Sequence, residues 1–109
     1  MQDLMNALDA ERKTLSQAIA ILKERGIKKA KAEMDYRIAL AQEQLRLKDG
    51  KMPATLIMDL SRGNEKVAGL RMERDIAEVL YDTCQQQIYT SRKEIDIIMM
   101  LMQAERKGE

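Results

Sequence analysis

The chain has 109 residues, a formal net charge of +1, 34% charged side chains, nine Met, one Cys, and no His, Trp or Phe. That is one domain at most, with too few aromatic side chains to fill a globular interior of ordinary design. Missing His removes the commonest general base and metal ligand, and a lone Cys excludes an internal disulfide and a thiolate zinc site.

Strand signals are missing. No run alternates Val, Thr and Tyr with polar residues, and no Asn-Gly or Asp-Gly pair joins two apolar runs. Leu, Ile, Ala and Met supply the apolar side chains among many charged helix formers. Such a composition fits long paired helices with narrow seams. The expected fold class is all-α: a long antiparallel helical hairpin, coiled-coil-like, with a short capping helix at the turn, assembling into a helical bundle. One domain, 1–109, is expected to hold helices at about 3–48, 53–62 and 64–107.

In the first segment, Leu4, Leu8, Leu15, Ala18, Ile19 and Leu22 form one helical stripe. The apolar pattern resumes as Ile27, Ala30, Met34, Ile38, Ala41 and Leu45. The step from Leu22 to Ile27 breaks the three-four rhythm, and Gly26 lies at the break. Glycine inside a helix costs about 1 kcal/mol relative to Ala. One long helix with a weak point at Gly26, where it bends or frays, is expected, with a short N-terminal helix joining a second one as the alternative.

The turn contains Gly50, a good residue to follow a helix, and Pro53, suited to the first turn of the next. Ala54 to Ser61 reads as two helical turns with Leu56, Ile57 and Leu60 on one face. Those side chains are expected to bury the loop end of the core; an exposed patch for a partner is the alternative.

The third segment opens on Asn64, an N-cap residue, followed by Glu65 in the first turn. Val67, Leu70, Arg74, Ala77, Tyr81, Cys84, Ile88, Ser91, Ile95, Ile98 and Met102 then fall on alternating steps of three and four. This heptad seam needs a partner helix, within the chain or on another copy. Its apolar members Val67, Leu70, Ala77, Tyr81, Cys84, Ile88, Ile95, Ile98 and Met102 are the expected oligomer interface. Met72, Ile76, Val79 and Leu80 lie off the seam, and residues 95–102 are almost continuously apolar. A lone hairpin cannot cover both faces, so a homo-oligomer is expected, most simply a C2 dimer of four helices. The methionines read as core filler, or alternatively as a plastic surface for a partner protein. Cys84 reads as a small buried thiol. Arg74, on the seam, reads as a snorkelling stem paired with Asp75, Glu78 or a facing acid, or as a register-setting residue.

Residues 1–48 hold 10 Lys/Arg and 7 Asp/Glu, net +3, and residues 64–109 hold 7 and 9, net −2. Antiparallel arms with these biases attract weakly. Lys23, Arg25, Lys28, Lys29 and Lys31 are the candidate nucleic-acid contacts, since five nearby cations can meet phosphates. Glu24 and Glu33 dilute the run and no aromatic is interleaved for stacking, so a solvated face is favoured. Glu73, Asp75, Glu78 and Asp82, and Glu94 with Asp96, read as solvated helix faces. No Glu-x-x-His motif and no phosphate loop is present. No catalytic, cofactor-binding or metal-binding residue is assigned, and the chain is not expected to be an enzyme. No apolar run reaches the ~18 residues that cross a membrane. The opening MQDLMNALDAERK lacks the apolar core of a signal peptide. A cytoplasmic setting is expected.

The blocks AEMDYRIALAQEQLRLKDG and PATLIMDLSRGNEKVAGLRMERDIAEVLY carry a further signal. Tyr36-Arg37, Gly50-x-x-Pro53, Leu60-x-Arg62-Gly63 and Leu70-Arg71…Arg74-Asp75-x-Ala77-Glu78 resemble a family of small helical proteins encoded in phages and prophages of Gram-positive bacteria. The resemblance covers roughly residues 30–100. It implies a phage-derived accessory protein inside the bacterial host and supplies no activity. Such genes often lie near phage replication and recombination functions, so it leaves a nucleic-acid accessory role as the alternative to protein binding. The secreted WxG-type helical hairpins fit poorly, because the chain has no Trp.

Overall fold

A computed structural model describes residues 1–108. Three helices follow in order: α1 (Gln2–Asp49), α2 (Ala54–Gly63) and α3 (Glu65–Gly108). The described residues contain no strand. The class is the all-helical hairpin that composition and periodicity predict, α1 packing against α3 with a short helix between. α1 passes through Gly26 without interruption.

Two compact units divide the chain, Met1–Glu24 with Tyr81–Glu109, and Arg25–Leu80. In the first unit α1 and α3 lie antiparallel, the Met1 ammonium meeting Glu105 at 2.7 Å. Ala18, Cys84, Ile88, Ser91 and Ile98 are buried here. The Cys84 thiol donates to the Ala18 carbonyl at 3.2 Å, so the two helices approach closely where both side chains are small.

In the second unit Tyr36, Ala39 and Val67 form the core, with Leu40 and Leu70 packed on it. The Arg74 guanidinium sits 4.5 Å from the Tyr36 ring centroid. It donates to Asp75 at 2.9 Å and lies 3.6 Å from Glu33. The hydrogen bond to Asp75, with Glu33 nearby, raises Arg74 above its ordinary pKa and keeps it charged.

Two features of the connection follow from backbone hydrogen bonding. α1 ends in a Schellman arrangement: Met52 N–H donates to the Leu47 carbonyl and Lys51 N–H to the Lys48 carbonyl. The left-handed residue is Lys51, at φ 62°, one position beyond the Gly50 that sequence points to. α2 turns Ile57 and Ser61 inward, and Ser61 Oγ donates to the Ile57 carbonyl at 2.6 Å. Leu56 and Leu60, expected inside with Ile57, stay exposed. The small buried Ser61 lets α2 lie close, and the Ile57–Ser61 face leaves its larger neighbours outside.

Asn64 ends α2 and starts α3. Its Oδ1 accepts from Val67 N–H at 3.1 Å, and its carbonyl accepts from Ala68 N–H at 2.8 Å. Asn64→Ala is expected to lower stability by about 1 kcal/mol, read by urea unfolding, because one N-terminal donor of α3 loses its partner.

Candidate functional site

α1 carries two stripes on opposite sides. The inward stripe keeps one heptad phase from Leu4 to Glu43 and ends on Leu47, one residue past that phase. It runs Leu4, Leu8, Glu11, Leu15, Ala18 and Leu22 in the first unit, then Arg25, Lys29, Ala32, Tyr36, Ala39, Glu43 and Leu47 in the second. All of these are buried or half-buried. Arg25 is accommodated because its guanidinium donates to the Leu80 carbonyl at 3.0 Å. Glu43 is clamped by Arg46 at 2.6 Å, which holds its carboxyl below the usual range.

The apolar pattern therefore does not shift phase at Gly26. Ile27, Met34, Ile38 and Leu45 belong to a second stripe, which points away from α3 and is 49–63% exposed. Ala30 and Ala41 are exposed on the same side of the helix.

On α3 the predicted seam forms within the chain. Val67 and Leu70 pack on α1 in the second unit, and Ala77 is half-buried there. Cys84, Ile88 and Ile98 are buried in the first unit, and Tyr81, Ile95 and Met102 are half-buried there. The α1 stretch of the same unit is what covers these side chains. These side chains, expected at an oligomer interface, are covered inside one chain. Sequence periodicity locates the seam but does not say which helix fills it.

The remaining apolar surface is most continuous on the second unit. One part is the outward stripe of α1. It merges with a groove between α1 and α2 lined by Ala41, Leu45, Ile57 and Met58. Gln44 Nε2 lies 3.4 Å from Met58 Sδ across that groove. The other part is on α3, where Met72, Ile76, Val79 and Leu80 are exposed. Arg62, Arg71 and Asp75 border its shallow pocket. Separately, in the first unit, Ile97, Met99, Met100 and Leu101 are exposed, while Asn6, Lys13, Gln17 and Glu24 make the outward side of α1 largely polar.

The candidate nucleic-acid cations do not converge. Round the α1 circumference, Arg25 and Lys29 take the inward stripe, Lys23 and Lys31 the outward side, and Lys28 a flank. Arg25 and Lys28 share a cleft with Glu73. Among the described residues no group of three or more His, Cys, Asp or Glu is placed to hold a metal ion, and no helix is long and apolar enough to cross a membrane. No protein-family model, curated protein or solved structure matches the chain.

Proposed function

We infer that this chain is a non-enzymatic assembly and protein-interaction module that works as a homo-oligomer. One observation carries the reading. After α1 and α3 have filled their common seam, the second unit still presents two apolar stripes, Ile27–Met34–Ile38–Leu45 and Met72–Ile76–Val79. Contiguous apolar surface rimmed by charge is characteristic of sites that another protein covers. A phage or prophage accessory role in the bacterial cytoplasm is part of this reading, and its support is the resemblance of residues 30–100 to phage-encoded helical proteins. A nucleic-acid role through Lys23, Arg25, Lys28, Lys29 and Lys31 is the weaker reading, because those side chains point in different directions from one helix.

Size exclusion with light scattering, at low and high salt on nucleic-acid-free protein, tests the assembly. A dimer or larger species insensitive to salt is expected, since apolar burial is not screened. A monomer at both ionic strengths would remove the basis for self-assembly.

A further inference from the structure

We propose that a second copy of this chain docks on the outward stripe of α1, with the two α1 helices antiparallel and the two-fold axis passing beside residue 36. The proposal rests on the self-assembly reading above and specifies its face, sense and register.

The stripe is self-complementary. Met34 and Ile38 are equidistant from residue 36, as are Ile27 and Leu45, Lys31 and Ala41, and Glu24 and Lys48. An antiparallel pair about that point sets Met34 against the partner's Ile38 and Ile27 against the partner's Leu45. At each end Glu24 meets Lys48, opposite charge to opposite charge. At the Leu45 end the incoming Ile27 finds the groove already lined by Ile57 and Met58 of α2.

Other registers lose this match. Sliding one heptad so that Met34 faces Leu45 sets Lys31 on Lys48. Sliding the other way sets Lys31 on Met34 twice and leaves Glu24 on Ala41. A parallel pair stacks Lys31, Glu24 and Lys48 each on its own copy. The charges nearest the axis are drawn back from it: Arg37 donates to Glu33 at 2.7 Å, and Asp35 lines a cleft with Lys66. The α3 stripe suits self-pairing less, because Glu73, Asp75 and Glu78 lie along its turns and an antiparallel pair centred on it sets Asp75 against Glu78, acid against acid.

Size agrees. Ile27, Met34, Ile38 and Leu45 are 63%, 53%, 49% and 60% exposed. With the flanking stems and the α2 groove, pairing removes roughly 1,000 Å² in total, the size of a weak, reversible interface.

Disulfide trapping tests face and register together, in full-length protein carrying Cys84→Ser, whose hydroxyl can still donate to the Ala18 carbonyl. Ile27→Cys and Leu45→Cys are both exposed positions. The double variant is expected to form a covalent dimer on mild oxidation. Each single variant is expected to stay uncrosslinked, because like positions lie about 27 Å apart along an antiparallel pair. In the Cys84→Ser background without new cysteines, Lys48→Glu is expected to weaken the dimer about 3- to 10-fold and Glu24→Lys in the same chain to restore it. A covalent dimer from Ile27→Cys alone would mean parallel pairing and overturn the proposal. A dimer by light scattering that the double-cysteine variant does not trap would overturn this face while leaving self-assembly intact. A monomer would overturn both.

Discussion

Tyr36→Ala is expected to cost about 3–5 kcal/mol of folding stability, the range for truncating a buried aromatic side chain. Tyr36 is 6% exposed and is the largest side chain in the core of the second unit, where it packs with Ala39 and Val67. Three losses coincide. The ring's buried area returns to water, a cavity opens between two helices beside Ala39 and Val67, and Arg74 loses the aromatic face above which it lies. Tyr36→Phe keeps the ring and is expected to cost far less. The test is urea unfolding followed by circular dichroism. A Tyr36→Ala midpoint close to that of the parent would mean that this seam is not what holds the unit together. Arg74→Ala compared in the Tyr36 and Tyr36→Ala backgrounds then isolates the cation–ring contribution as a double-mutant cycle.

The three helices, the α3 seam and the Asn64 cap were legible because each depends on local chemistry. Heptad spacing, an Asn side chain before Glu65 and a Gly-Lys-Met-Pro turn act within a few residues. The inward stripe of α1 was not legible past Leu22. There the more apolar series, Ile27 to Leu45, competes with a series containing Arg25, Lys29 and Glu43, and hydropathy favours the wrong one. The three-four rhythm that starts at Leu4 runs on through Arg25, Lys29 and Tyr36 to Glu43, and all of these are buried or half-buried, so the charged series is the one turned inward. Long stems make this inexpensive: Arg25 covers apolar surface and still finds the Leu80 carbonyl. Two signals on that phase were readable, namely the unchanged three-four rhythm from Leu4 to Glu43 and the placement of Tyr36 and Ala39 on it.

The left-handed turn residue Lys51 after α1 and the inward face of α2 depended on tertiary fit. Gly50 is the cheaper residue for a left-handed backbone, but the hydrogen bonds from Met52 to Leu47 and from Lys51 to Lys48 place that conformation one residue later. On α2, Ser61 faces inward because it is small, at the expense of burying Leu56 and Leu60. Hydrophobicity ranks residues by their transfer from water. It does not rank them by the space available between two helices already in contact.

Ile98→Asp is expected to cost about 3 kcal/mol or more, whereas Ile97→Asp, one residue earlier, is expected to change stability by less than about 1 kcal/mol. Ile98 is 8% exposed in the first unit, and Ile97 is 49% exposed on the outward side of α3. A carboxylate at 98 would be desolvated among Ile95, Met102 and the first-unit stretch of α1, with no cation in the seam to meet it. Desolvation raises the pKa of such a group in the folded state above its unfolded value of about 3.9. The penalty is therefore full above the folded pKa and shrinks as pH falls through it toward the unfolded one. Relative to the parent chain, Ile98→Asp is expected to recover stability on acidification from pH 7 toward pH 4, and Ile97→Asp is expected to show little such recovery. Unfolding measured for both variants across that range separates the two faces of α3. An equal loss at 97 and 98 would mean that the outward face of this stretch is also covered, and the division of α3 into an inward seam and an open face would have to be redrawn.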